Sequence, residues 1–244
     1  FICKLGKDMF GEKALEHYRS CGLDVSRILY SDKPSGIALI TVDSLAENSI
    51  VVASGANADI TPEDIDASAD IIRSAGMLLL QLEIPMPAVV RAAEIAHECG
   101  VKVVLNPAPA TKLPEELLRC VSILIPNETE ASAISGIDIT DLKTAGKAAN
   151  LLKSKGVREI IITMGSWGSV VCDGETTFIP ARKVNAVDTT AAGDTFCGGV
   201  CVALSEGKDI YDAVRFATVA SSIAVQRPGA QDSVPSRQEV DYIM

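Results

Sequence analysis

Four short apolar runs, set apart by segments of helical periodicity, constrain the fold of this chain more than any other feature. They are "GMLLLQL" (76–82), "VKVVL" (101–105), "VSILI" (121–125) and "REIIITM" (158–164). Each is β-branched or leucine-rich, bounded by turn residues or a helix end, and of strand length. Between the first two lies "MPAVVRAAEIAHECG", with apolar residues at helical spacing and Gly100 as its stop. Between the last two lies "DLKTAGKAANLLKSKG", which ends the same way at Gly156. Strands that are apolar at nearly every position are buried on both faces, and helices between them supply the cover. The pattern predicts right-handed βαβ crossovers and an α/β fold with a mostly parallel central sheet flanked by helices. Ligands of such sheets bind beyond the carboxyl ends of the strands, so the residues that follow each strand are the candidates.

Two regions depart from this rhythm. Residues 36–53 read as a β-hairpin, "GIALITV" and "NSIVVAS" flanking "DSLAE", with Ile37, Leu39 and Thr41 set against Ile50 and Val52 and in need of a partner surface. Residues 195–205 and 211–225 read as two apolar helices with no strand between them. At the other end, residues 1–4 read as the close of a strand leading through "LGKDMFG" into a helix, so the chain is expected to start inside the fold.

With 244 residues, 48% of them hydrophobic, the chain can build one substantial core, and a single domain over 1–244 is expected. A net charge of −10 argues against nucleic acid or an anionic membrane as a partner, because the mean field repels polyanions. No run of about 18 uncharged apolar residues occurs, and no basic segment precedes an apolar one, so neither a membrane span nor a signal peptide is expected. Seven cysteines, odd in number and scattered, suggest a reducing compartment, and a cytoplasmic location is the expectation. Cys197 and Cys201, four apart with no further Cys or His nearby, read as small core residues; His17 and His97 read as structural.

The stretch "AVDTTAAGDTFCGG" (186–199) sets small residues and two aspartates just before an apolar helix. A helix beginning near Gly193 presents unpaired N–H groups and the positive end of its dipole. Ala191, Ala192 and Gly193 are small enough to let an anion reach that backbone. Asp194 could then accept a proton from a substrate hydroxyl while the amides hold the charge of a transferring phosphoryl group. It could equally be a helix-capping aspartate with no substrate, and the stretch alone leaves both readings open. In "PNETE", Asn127 and Glu130 have the spacing of a capping box. Glu83 follows five apolar residues, where a carboxylate calls for a polar ligand or a paired site, or else marks a solvated strand end. "GSWG" (165–168) reads from its residues alone as a turn.

"DTTAAGDTF" resembles the signature D-T-x-G-A-G-D of the ribokinase-like, phosphofructokinase-B type sugar kinases, with Ala191 where Gly is commonest. "SGAN" (54–57), "QLE" (81–83), "LNPAPA" (105–110), "PNETEA" (126–131), "TMGSWG" (163–168) and "GAQDSVP" (229–235) follow the order and spacing of that family, and "NPAPA" with "PNETEA" favours its ribokinase branch. The resemblance implies ATP-dependent phosphorylation of D-ribose at its 5-hydroxyl. Related kinases acting on deoxyribose, fructose, a ketodeoxy sugar acid or a nucleoside, or a non-catalytic sugar or nucleotide sensor, are the alternatives. It implies Asp194 as general base, Ala191, Ala192 and Gly193 as anion hole, and Glu83 as a ligand of the sugar hydroxyls. ATP would lie along Asn127, Thr163, Gly165, Ser166, Gly168, Gly193 and Thr218, the last at a position where the family commonly has Asn or His. Asn127 and Glu130 would organise Mg2+, and Asp188, Thr190, Ala224, Arg227, Gly229 and Ser233 would enclose K+, mostly through carbonyls. The hairpin at 34–54 would form part of a lid and the contact of a homodimer. The family's N-terminal N-x-D and G-G-K-G-A-N elements do not occur in the sequence. On the resemblance, the chain is therefore expected to be a piece of a longer protein.

Overall fold

The computed structural model describes residues 1–42 and 48–244. In chain order the elements are β1 (Cys3–Gly6), α1 (Met9–Ser20), β2 (Ile28–Ser31), β3 (Ile37–Val42), β4 (Asn48–Ala53), α2 (Pro62–Asp66), α3 (Ala69–Ser74), β5 (Met77–Leu80), α4 (Met86–Glu98), β6 (Lys102–Leu105), α5 (Glu115–Cys120), β7 (Ile123–Leu124), α6 (Glu128–Ser135), α7 (Leu142–Ser154), β8 (Glu159–Thr163), β9 (Gly168–Cys172), β10 (Thr176–Pro180), α8 (Ala192–Ser205), α9 (Ile210–Ala224) and α10 (Arg237–Ile243). The central sheet has six strands in the order β10-β9-β8-β7-β6-β5. Pairing is parallel from β5 to β8, as the apolar runs predict, and antiparallel from β8 through β9 to β10.

The two-residue period of the strands divides the interior into two cores. Val103, Leu105, Leu124, Ile160, Ile162 and Val170 point to one side, where α4, α5 and α7 cover them. Val104, Ile123, Ile161 and Val171 point to the other, onto α8 and α9. Both faces are dry, which is why these strands read as unbroken apolar runs. On the second side α8 and α9 meet closely at Gly199, where a Cβ would stand 2.9 Å from the Cα of Ala217. Any larger residue would push the helices apart.

Two small sheets stand apart from the main one. β1 and β2 pair in parallel, and β3 pairs with β4 as the expected hairpin; its "DSLAE" turn lies outside the described residues. The hairpin register corrects one expectation. Ile50 opposes Ile40 and Val52 opposes Ala38, whereas Ile37, Leu39 and Thr41 oppose Ala53, Val51 and Ser49. Ile50 and Val52 therefore lie on the other face from Ile37, Leu39 and Thr41. Alternation fixes the phase within a strand, but hydrogen bonding fixes it between strands, and a hairpin apolar on both sides carries no mark of which register is used. Leu39 (67% exposed) and Val51 (66%) on one face, and Ile40, Ile50 and Val52 on the other, are open to solvent. At its base Asp8 both caps α1 and accepts from the amide and hydroxyl of Ser35, at 2.7 and 2.8 Å.

Candidate active site

Glu83, Asn127 and Thr163 lie at or just past the carboxyl ends of β5, β7 and β8, and Gln81 joins the first of these ends to the first turn of α8. The chain enters α8 through Ala191 at φ +58°, the one non-glycine residue of positive φ among the described residues. A left-handed alanine costs about 1 kcal/mol, and such strain concentrates at functional sites. Ala192 donates its amide to Thr189 O at 3.2 Å, so of the proposed anion-hole amides this one is engaged in the turn. Gly193 is exposed, and a Cβ built there meets nothing within 4 Å, so the approach to its amide is open.

Asp194 lies in that first turn, with its carboxylate exposed. Gln81, just past β5, donates from Nε2 to Asp194 Oδ1 at 2.6 Å across 113 residues of sequence. Glu83 joins them: desolvation, followed by the negative charge of Asp194, raises its carboxyl above the usual range. Glu83, exposed two residues beyond Gln81, thus lies within electrostatic reach of Asp194. The loop that carries Gln81 and Glu83 is fixed by its neighbour. Leu82 donates to Ala108 O at 2.9 Å, Asn106 donates its amide to Leu80 O at 2.9 Å, and Asn106 Nδ2 reaches Ile125 O at 2.8 Å. The "NPAPA" segment therefore ties the ends of three strands together, a role its residues did not announce.

Asn127 and Glu130 form the capping box of α6. Asn127 Oδ1 accepts from the Glu130 amide at 2.8 Å, while Glu130 accepts from the Asn127 amide at 2.9 Å and from Asn127 Nδ2 at 3.0 Å. Glu130 is buried, and burial raises its carboxyl, opposed by the Asn127 N–H. Both oxygens of Glu130 are thus in use, so these residues fit a hydrated Mg2+ through its water rather than by direct ligation. Among the described residues no group of three or more His, Cys, Asp or Glu is placed to hold a metal.

Beyond β8, Thr163 bridges to Asn127 and donates its amide to Pro126 O at 2.9 Å. Gly165 and Ser166 are exposed in a single 3-10 turn with Trp167, which is 54% exposed. Gly168, expected to let the backbone approach a nucleotide, is instead buried against β10. At φ +134° its Cβ would stand 2.1 Å from Ile179 O, so close strand packing is what demands glycine. Thr218 is half-buried on α9 with its hydroxyl donated to Val214 O at 2.8 Å.

Asp188 is buried and accepts from the Thr190 amide at 2.8 Å and the Gly229 amide at 2.9 Å. Thr190 first, then the Gly229 amide, holds its carboxyl below the usual range. Thr190 Oγ1 is buried with no hydrogen-bond partner among the described residues, and the fully buried Ser233 hydroxyl donates to Ala230 O at 2.7 Å. Ala224 O accepts from the Arg227 amide at 3.0 Å, and the Arg227 guanidinium pairs with Glu239. A buried carboxylate with an unpaired hydroxyl on the adjacent Thr190 offers oxygen donors of the kind a hard cation takes.

Cys197 is buried and Cys201 half-buried on α8, with burial raising both thiols, in keeping with a packing role. A cavity of about 580 Å³ between α5, α6 and α7 is lined by none of the candidates. No helix among the described residues is long and apolar enough to cross a membrane.

The description pfkB family carbohydrate kinase matches residues 1–237 of the chain. Ribokinase of Staphylococcus aureus (strain COL) is 42% identical over 246 residues, covering 100% of this chain and 81% of that protein. Deoxyribokinase of Salmonella typhi is 33% identical over 244 residues, with 98% and 79% covered. Arabidopsis thaliana ribokinase, solved with ribose and ATP, superposes at a TM-score of 0.92 with 33% identity, covering 100% of this chain and 80% of that one. With the signature at the first turn of α8, the sheet order and these similarities in agreement, the chain belongs to the pfkB family of carbohydrate kinases.

Proposed function

We propose that the protein transfers the γ-phosphoryl group of ATP to the 5-hydroxyl of D-ribose. The contact of Gln81 with Asp194, which brings Glu83 two residues away toward the open first turn of α8, carries this reading. Glu83 accepts hydrogen bonds from sugar hydroxyls and turns the 5-hydroxyl toward Asp194, which takes its proton as the new O–P bond forms and the bond to the departing ADP breaks. The Gly193 amide and the helix dipole face the charge that develops on the transferring group. Thr163, Gly165, Ser166 and Thr218 line the path of the nucleotide, with Trp167 at its edge. Asn127 and Glu130 would hold the water of a Mg2+ bound with the nucleotide, and that ion would supply charge neutralisation at the phosphates. Asp188, Thr190 and the carbonyls of Ala224, Arg227, Gly229 and Ser233 would hold K+, which would supply positive charge near the start of α8.

The test is ribose-dependent ADP release from the full-length gene product in magnesium-ATP, first with K+ and then with tetramethylammonium in its place. Turnover with ribose that falls without K+ is expected. Equal turnover in both salts removes the cation site. The 33% identity to a deoxyribokinase makes 2-deoxyribose the first rival substrate, and a higher kcat/KM for it would reassign the acceptor.

We also infer that the hairpin of β3 and β4 closes over the sugar with one apolar face and joins a second copy with the other. Two exposed apolar faces on one two-stranded sheet need such cover. Light scattering at micromolar concentration is expected to give the dimer mass; a monomer mass overturns the homodimer. Seven scattered cysteines, an odd number, support a reducing, cytoplasmic location.

A further inference from the structure

We propose that Gln81 is a positioning residue for the general base, holding Asp194 in its working rotamer before the sugar arrives. The inference rests on the kinase reading above. Gln81 donates to Oδ1 of Asp194 at 2.6 Å, and no donor among the described residues occupies Oδ2. One carboxylate oxygen is thus fixed to the sheet, and the other is left for a substrate hydroxyl.

The arrangement has a physical logic. Asp194 is exposed on the first turn of a helix, where a short side chain is otherwise free to rotate into water or to cap its own helix. A base that must meet one hydroxyl cannot be left to sample rotamers, since a misplacement of about 1 Å costs on the order of 100-fold in rate. The donor could in principle have been a lysine or arginine. A cation so close would stabilise the carboxylate anion and weaken it as a base, whereas a neutral amide orients the carboxylate without a formal charge. An amide also does not titrate, so the contact persists at every pH at which the enzyme works.

Gln81 is itself well held. The next residue is pinned through its amide to Ala108 O, and the preceding Leu80 ends β5 with its carbonyl bound by Asn106. The support runs from three strand ends through Gln81 to Asp194. Glu83, two residues on, acts from the same rigid loop on the substrate, so one segment sets both the base and the sugar.

Gln81→Met keeps the length of the side chain and removes the donor. The expected result is a fall in kcat of about 10- to 100-fold with KM for ribose changed less than about threefold, because the base is misplaced while the sugar ligands remain. Gln81→Glu is also isosteric but sets a carboxylate against Asp194, and its kcat should fall further at neutral pH. Full kcat in both variants overturns the proposal, since it would mean that Gln81 only fills space.

A sugar-independent readout separates this proposal from the substrate assignment. In thermal unfolding, Gln81→Ala, Asp194→Ala and the double variant form a cycle that needs no ligand, and the two shifts are expected not to add. Additive shifts overturn the contact whatever the substrate proves to be. A wild-type enzyme that ignores ribose while the cycle shows coupling overturns the substrate and leaves the positioning contact supported.

Discussion

Asp194→Asn is expected to lower kcat for ribose phosphorylation by at least about 100-fold, the usual worth of a positioned general base. Asparagine has almost the same shape and can still accept from Gln81 Nε2 through its own oxygen, so the first turn of α8 keeps its geometry. What disappears is an acceptor for the hydroxyl proton. The sugar oxygen must then attack while still protonated, or lose its proton to water, and both routes raise the barrier of the chemical step alone. Nucleotide affinity should stay within a few-fold, because the amide of Gly193 and the loop of Gly165 and Ser166 are untouched. Steady-state kinetics and calorimetric titration with ADP measure the two quantities separately. Turnover near that of the wild type would remove Asp194 from the proton transfer, and lost ADP binding would recast it as a nucleotide ligand.

The largest expected effect on stability comes from Gly168→Ala. The added methyl group would stand 2.1 Å from Ile179 O and 2.7 Å from the amide of Ala181, both of them backbone atoms that no rotamer change can move. At φ +134° alanine is strained even without the clash. Overpacking and strain together give a loss of about 3 kcal/mol or more. For a chain of this size that lowers the midpoint of thermal unfolding by roughly 6–12 °C. Gly165→Ala is the control. That residue also has positive φ, but open space surrounds its Cβ position, so the strain of about 1 kcal/mol acts alone. Equal midpoints for the two variants would show that the β9–β10 contact does not require glycine, and a nucleotide role for Gly168 would return.

Part of this site is legible in the sequence. Ala191, Ala192, Gly193 and Asp194 read as the small-residue start of an apolar helix, either open to an anion or simply capped by its aspartate. The structure adds that Ala191 is left-handed and that the Ala192 amide is spent in the turn. Asn127 and Glu130 were legible as a capping box for the same local reason, since side chains three apart at a helix start reach each other without help from the rest of the fold. The pair β9 and β10 was not legible. Its antiparallel pairing follows a loop that reads as a plain turn, and its buried face repeats the alternation of any strand.

The sequence by itself determined the four apolar strands β5 to β8, the hairpin, the helices α4, α7, α8 and α9, that the central sheet is mostly parallel and buried on both faces, and which end of it is the candidate for the chemistry. These follow from periods of two and 3.6 and from caps and stops, all of which act over a few residues. Only the tertiary structure decided that Gln81 reaches Asp194, that Gly168 is packed against β10, and that Ile50 faces Ile40 in the hairpin. Each of these is a contact between segments far apart or apolar on both sides. Its partner is chosen by how the helices and strands pack, and no local pattern of residues records that choice.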